Sequence, residues 1–332
     1  MVEKITYIES RQTDPRKNLA VEEELMQSCG EDECILYLWQ NRHTVVIGRN
    51  QNAWKECLVE RLKDDGGYLV RRPSGGGAVF HDLGNLNFTF LAQKDNYDLD
   101  KQLEVILRAV QSLGIDARKS GRNDILAGGR KFSGNAFYEQ DFRCCHHGTL
   151  MVDVNIADLS KYLTVSKEKL KSKGVDSVKS RVANLKEFCP ELTIDGLKNA
   201  LIPAFEEVYG KKAAVKSVED LDQEEFSRLE RKYASWEWTF GRKIDFSYEL
   251  SRQFSWGNMT IQLQVNEGKI EDAAVWSDSM KPGMMTALPR YLKNLEYRRD
   301  AVLSELGLFW SGDAQEEQMM KDIILWLSDV EF

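Results

Sequence analysis

Short runs of β-branched and aromatic residues recur through the first half of the chain, without the regular strand and helix alternation that a doubly wound parallel sheet demands. Ile35-Leu36-Tyr37-Leu38-Trp39 and Thr44-Val45-Val46-Ile47 read as strands, and Gly48 ends the second. Further strands are expected at Tyr68 to Arg71, Ala78 to Phe80, Leu86 to Leu91 and Gly148 to Val154. Helices are set irregularly among them. Asp14 as cap and Pro15 in the first turn open one through Asn18 to Met26. Leu103, Ile106, Leu107, Val110 and Leu113 recur at helical spacing and mark a second. The pattern predicts an α+β fold around a largely antiparallel sheet.

Helices dominate the expectation from Leu159 to about Ala234, and a boundary falls near Lys243 to Ser247. Beyond it, Ser255 to Val265 and Lys269 to Trp276 form a hairpin around Asn266-Glu267-Gly268, with helices near Tyr297 to Leu306 and Glu316 to Ser328. That is a small αβ unit in its own right. At 332 residues the chain is also long for a single core. Two domains are expected, 1–245 and 246–332.

Fifty-three acidic against 45 basic residues give a formal charge of −8, which repels polyphosphate over most of the surface and argues against a nucleic-acid partner. A local site for one nucleotide needs only a few aimed donors. No apolar run approaches the roughly 18 residues of a membrane span, and the first residues lack the pattern of a signal peptide. The six cysteines form neither a CxxC pair nor a dense framework. A cytoplasmic protein with reduced thiols and no membrane association is expected.

Chemistry concentrates in Arg71-Arg72-Pro73-Ser74-Gly75-Gly76-Gly77-Ala78-Val79-Phe80-His81-Asp82-Leu83-Gly84-Asn85. Three glycines after a strand let the backbone approach a ligand and turn N–H groups toward an anion, while the arginines add charged donors. A carboxylate or phosphate would suit it; a plain glycine turn with solvent-facing arginines is the bland alternative. It is neither a P-loop nor GxGxxG. Lys131 sits among glycines in Gly128-Gly129-Arg130-Lys131-Phe132-Ser133-Gly134. Asp124 offers a carboxylate of the kind Mg²⁺ takes beside phosphate oxygens, although Asp after Arg122-Asn123 is also a common turn residue. His81, His146 and His147 lack a second ligand at zinc-like spacing and read as core or hydrogen-bonding histidines.

The run from Arg71 to Asn85 resembles the signature of lipoate–protein ligases, within the wider group of lipoyl and biotinyl ligases. Asn18-Leu19-Ala20 with Glu22-Glu23 and Thr44 to Asn52 precede it in the family's order. Gly121 to Ile125, Arg130 to Ala136, His146 to Leu150 and Gly174 to Val182 follow it. The resemblance covers essentially the whole chain. It implies the lipoyl/biotinyl ligase catalytic fold, a mixed sheet with flanking helices like that of class II aminoacyl-tRNA synthetases, plus a small C-terminal accessory domain. It further implies ATP-dependent activation of lipoate to lipoyl-AMP and transfer to a carrier lysine. Lys131 would be catalytic. Arg72, Ser74, Gly75, Gly76, Gly77, Ala78, Val79, Phe80, His81, Asn85, Asn123, Asp124, Lys131, Ser180 and Arg181 would bind ATP and the adenylate. Arg72, Lys131, His147 and Gly148 would bind lipoate, and Asp124 would hold Mg²⁺.

Implied partners are apo lipoyl domains, those of 2-oxoacid dehydrogenase E2 subunits and the H protein of glycine cleavage, with a monomer expected. Two rivals share the fold. One is an octanoyl or lipoyl transferase that needs no ATP and works through a cysteine thioester, for which Cys144 and Cys145 would be candidates beside Arg143 and His146. The other is a non-catalytic binder of lipoyl-adenylate or lipoyl domains. Retention of the glycine signature, Lys131, Asp124 and the accessory domain favours ligation.

Overall fold

A computed structural model of the protein describes residues 1–120, 124–164, 182–241 and 245–330. The strands in chain order are β1 (Lys4–Glu9), β2 (Glu33–Trp39), β3 (Thr44–Ile47), β4 (Tyr68–Arg71), β5 (Val79–His81), β6 (Asn85–Gln93), β7 (Ala117–Ser120), β8 (Asp124–Ala127), β9 (Arg130–Ser133), β10 (Asn135–Gln140), β11 (Arg143–Met151), β12 (Ala213–Lys216), β13 (Tyr248–Phe254), β14 (Gly257–Asn266) and β15 (Lys269–Ser277). Two compact units result. The first comprises Met1–Ile47, Trp54–Arg71 and Ala78–Thr239; the second comprises Gly48–Ala53, Arg72–Gly77 and Phe240–Phe332.

The first unit is built on a six-stranded mixed sheet in the order β10-β11-β6-β2-β1-β12. Only β1 pairs in parallel, with β2 and β12; the rest of the sheet is antiparallel. β2 explains why a continuous apolar run was needed there. Cys34, Leu36 and Leu38 pack with the Leu99–Ser112 and Ile194–Tyr209 helices, and Ile35, Tyr37 and Trp39 with the Pro15–Ser28 and Gln223–Ala234 helices. Both faces of the sheet are thus covered, and every residue of β2 is buried. The first helix starts where expected: Asp14 accepts from the Arg16 N–H at 3.0 Å, with Pro15 in the first turn. Two small three-stranded sheets, β4-β3-β5 and β7-β8-β9, complete this unit.

The second unit carries the antiparallel sheet β13-β14-β15, whose Met259, Ile261, Leu263, Ile270 and Val275 share a core with the Pro282–Leu292, Arg299–Leu306 and Ala314–Ser328 helices. Its hairpin turn places Glu267 at φ 47° and Gly268 at φ 74°. Two successive positive φ values are what a two-residue type I′ connection requires. Among the described residues no helix is long and apolar enough to cross a membrane.

Several expectations need correction. β11 begins at Arg143, so Cys144 to His147 lie inside the strand and the expected stretch to Val154 ends at Met151. β12 interrupts the region expected to be helical; its short Ala213-Ala214-Val215-Lys216 run sits at a sheet edge and is mostly exposed, so it carries no alternating apolar pattern. β1, β7 to β9 and β13 lie outside the expected strands, whereas β10 stands where a strand after Lys131 is expected. The Pro282–Leu292 helix escaped because it contains two prolines, one in its first turn and Pro289 inside.

Candidate active site

Strand register in the first unit brings His147 of β11 directly opposite Thr89 of β6. Glu22, carried by the Pro15–Ser28 helix, meets both. Its Oε1 accepts from Thr89 Oγ1 at 2.6 Å and lies 2.8 Å from His147 Nδ1, while Trp39 Nε1 donates to Thr89 Oγ1 at 3.1 Å. All four residues are buried. A carboxylate oxygen that already accepts from a hydroxyl makes Nδ1 the donor, which fixes the orientation of the imidazole ring. Glu22 was not among the expected site residues. Its signal was the run Glu22-Glu23-Glu24 set between Val21 and Leu25 in the buried stretch of a helix.

Lys131 lies in β9, half-buried, with its carbonyl accepting from the Ala183 N–H at 3.0 Å. Beyond that strand the Gly134 carbonyl accepts from Thr149 N–H at 2.9 Å, and the Gly134 N–H donates to Thr149 Oγ1 at 3.1 Å. Gly148 shows why glycine stands there: an added Cβ would meet the Gly134 carbonyl at 2.6 Å and the Phe88 ring at 2.6 and 2.8 Å. Lys131 is close by, its Cε 3.8 Å from where a Gly134 Cβ would be. The structure therefore groups Lys131, Gly134, His147, Gly148 and Thr149 at the junction of β9, β10 and β11.

His146 points to the opposite face of β11, bonded through Nδ1 to Gln102 Oε1 and through Nε2 to Asn135 Oδ1, both at 2.9 Å. Burial, assisted by His147, holds its pKa well below 6.5, and both ring nitrogens are engaged within the core. Cys144 and Cys145 are buried as well. Burial pushes the Cys144 thiol up to about 11, and burial with the nearby Glu22 raises that of Cys145 well above the ordinary value. Neither thiol has the lowered pKa that a nucleophile requires. Glu22, Cys145 and His147 place one potential ligand atom each within 4.8 Å of one another. With a protonated thiol and the Glu22–His147 hydrogen bond already formed, the group reads as a polar cluster in the core.

Val79, Phe80 and His81 form β5, antiparallel to β3 with Phe80 opposite Val45 and His81 opposite Thr44. Phe80 is buried against Tyr162 at a centroid distance of 5.6 Å and edge-on to His43 at 5.5 Å. His81 Nδ1 lies 3.3 Å from Asn41 Nδ2, and Asn85, also buried, donates through Nδ2 to Asn87 Oδ1 at 2.9 Å.

Arg72 and Ser74 to Gly77 fall in the second unit. The buried Arg72 guanidinium folds back on its own loop: Nε donates to Ser74 Oγ at 3.0 Å, and Nη2 donates to the Gly75 and Gly77 carbonyls at 2.7 and 2.8 Å. Gly76 has φ 88°, a conformation that favours glycine. The guanidinium thus holds the loop in its shape by gathering its carbonyls. Asp124 opens β8, paired with Ser120. Asn123, Ser180 and Arg181 lie outside the described residues.

Residues 14–206 match the family model of the lipoyl protein ligase A/B catalytic domain, and residues 243–327 match that of the bacterial lipoate protein ligase C-terminus. The chain is 37% identical over 332 residues to lipoate-protein ligase A of Psychrobacter cryohalolentis, covering 98% of both. P. falciparum LipL1, solved in complex with lipoate, is similar with a TM-score of 0.84 at 28% identity, over 97% of this chain and 99% of that one. A lipoate-protein ligase A solved bound with ATP gives a TM-score of 0.61 at 29% identity, over 73% and 99%. A bi-partite ligase of Thermoplasma acidophilum, studied with its E2 lipoyl domain, gives 0.63 at 29% identity, over 75% and 100%.

Proposed function

The chain belongs to the lipoate–protein ligase family, and from that premise we propose that it activates lipoate with ATP and transfers it to a lysine of a carrier protein. A lipoate carboxylate oxygen attacks the α-phosphorus of ATP, the bond to the β-phosphate oxygen breaks, and lipoyl-adenylate and pyrophosphate form. The neutral ε-amine of the carrier lysine then attacks the acyl carbon, AMP leaves, and the amine gives up a proton. The observation that carries this reading is similarity to a ligase along 98% of both chains, which includes the C-terminal unit that activation requires in the proposal.

Lys131 is the proposed catalytic group. Negative charge grows on the carboxyl and α-phosphate oxygens in both steps, and an ammonium already positioned in β9 lowers both barriers. The Arg72 loop is assigned to the phosphate and the backbone of Ala78 to Phe80 to the nucleotide. His147 and Gly148 are assigned to lipoate. Ser180 and Arg181 are assigned to covering the adenylate, which would keep water from a hydrolysable anhydride. Mg²⁺ takes one or two carboxylates together with phosphate oxygens and waters, and Asp124 is the carboxylate proposed to supply one. Asp124 would hold it and so neutralise phosphate charge.

The raised pKa values of Cys144 and Cys145 weigh against the thioester transferase. Apo lipoyl domains of 2-oxoacid dehydrogenases and of the glycine cleavage H protein are the proposed acceptors. Six free thiols suit a reducing cytoplasm as the proposed location. Incubating the protein with lipoate and an apo lipoyl domain tests the reading by mass spectrometry: lipoylation with ATP and none without it is expected. Equal modification in both would favour transfer without activation.

A further inference from the structure

Within the second unit, two short segments, Gly48–Ala53 and Arg72–Gly77, are stitched to the turn that follows β15. The Arg49 N–H donates to the Ser74 carbonyl at 2.8 Å, and the Gly76 N–H reaches the Ser279 carbonyl at 3.4 Å. The backbones approach too closely for any side chain. A Cβ on Gly48 would meet the Gly76 carbonyl at 2.2 Å, and one on Gly75 would meet the Ser279 carbonyl at 2.1 Å and Met280 Cα at 3.0 Å. Glycine at 48 and 75 is thereby accounted for without reference to a ligand.

Asn50 is the side chain that ties the arrangement together. Its backbone carbonyl accepts from the Ser277 N–H at 2.7 Å, its Nδ2 donates to the Pro282 carbonyl at 2.9 Å, and its Oδ1, at 3.1 Å, shares the Thr286 hydroxyl proton with that same carbonyl, at 2.9 Å. The turn is itself anchored. Ser277 Oγ donates to the Asn258 carbonyl at 2.8 Å and accepts from the Ser279 N–H at 3.0 Å, and Asp278 Oδ1 accepts from the Asn258 N–H at 2.6 Å. The Ser279 carbonyl is therefore a fixed seat against which Gly75 and Gly76 rest.

We infer that Asn50 is a positioning residue for activation, holding the Ser277–Pro282 turn against the Arg72–Gly77 loop so that the loop has its shape fixed before ATP arrives. This deepens the proposed function and rests on it. The reasoning is one of differential demand. Attack at the α-phosphorus must fix a flexible triphosphate, whereas transfer starts from an adenylate already made and bound. A loosened loop costs the first step more than the second.

The test separates the two half-reactions in the full-length protein. In Asn50→Ala, kcat/KM for ATP in lipoate-dependent pyrophosphate release is expected to fall about tenfold, the scale of one or two net hydrogen bonds. Transfer from synthetic lipoyl-adenylate to an apo lipoyl domain is expected to stay within about twofold, since the chemistry of that step does not use the loop to orient a triphosphate. Thr286→Val, at an exposed position, removes one of the same bonds and should give a smaller loss of the same kind. Combined with Asn50→Ala it should add nothing, because both act through one contact. Equal losses in both half-reactions, or no loss in either, would overturn the inference. Wild-type protein that releases no pyrophosphate yet transfers from synthetic adenylate would overturn the activation reading itself.

Discussion

His147 Nδ1 lies 2.8 Å from Glu22 Oε1 in the packed layer between β11 and the Pro15–Ser28 helix, and Thr89 Oγ1 donates to the same oxygen at 2.6 Å. One carboxylate thus satisfies two buried donors from neighbouring strands. Glu22→Ala leaves both without an acceptor and is expected to lower unfolding free energy by about 2 kcal/mol. Glu22→Gln, which keeps a carbonyl oxygen in place, should lose less. Urea unfolding measures both, and an alanine variant as stable as wild type would show that the pair carries no weight.

His146 gives the fold a pH dependence of known sign. Burial, then the neighbouring His147, holds its folded pKa well below the ordinary 6.5. Below 6.5 the unfolded chain binds a proton that the folded chain does not. The associated stability is therefore fully present above that value and is lost as pH falls below it toward the folded pKa, at up to about 1.4 kcal/mol per pH unit. Thermal unfolding between pH 7.5 and 5 should show a decline with acidification, shallower in His146→Gln. A slope unchanged by that substitution would assign the dependence elsewhere.

Cys144→Ala with Cys145→Ser should retain ligation, since neither buried thiol is set up to become a thiolate. Carrier lipoylation by the double variant, normalised to its folded fraction, checks this. Complete loss with the fold intact would restore the thioester route.

Lys131→Ala is expected to slow both half-reactions by at least about a hundredfold, the scale of losing one charge-stabilising donor in a transition state. Because Lys131 is half-buried in β9, its removal should change the melting temperature little. Near-normal turnover would remove it from the proposed mechanism.

The strands of the sheet's centre were legible because burial on both faces leaves a continuous apolar run, as in Ile35 to Trp39. β12 was not, since an exposed edge strand of four residues needs no apolar pattern, and β7 to β9 are too short to show a period. The glycines of the signature were visible as a motif. Their separate reasons were not: Gly75 faces the Ser279 carbonyl, more than 200 positions along the chain, just as Gly148, outside the signature, faces Phe88 and Gly134. Sequence gives the residue type, while the steric cause is a long-range contact. Glu22 was passed over for the same reason. A buried carboxylate is intelligible only once the strand register has placed Thr89 and His147 against it.

Lipoate-dependent release of pyrophosphate from ATP, followed with and without an apo lipoyl domain, tests the activation of lipoate most directly. The expected result is release that requires lipoate and rises when the carrier draws off the adenylate. No release in either condition, alongside carrier modification from synthetic lipoyl-adenylate, would make the protein a transferase that depends on another enzyme for activation.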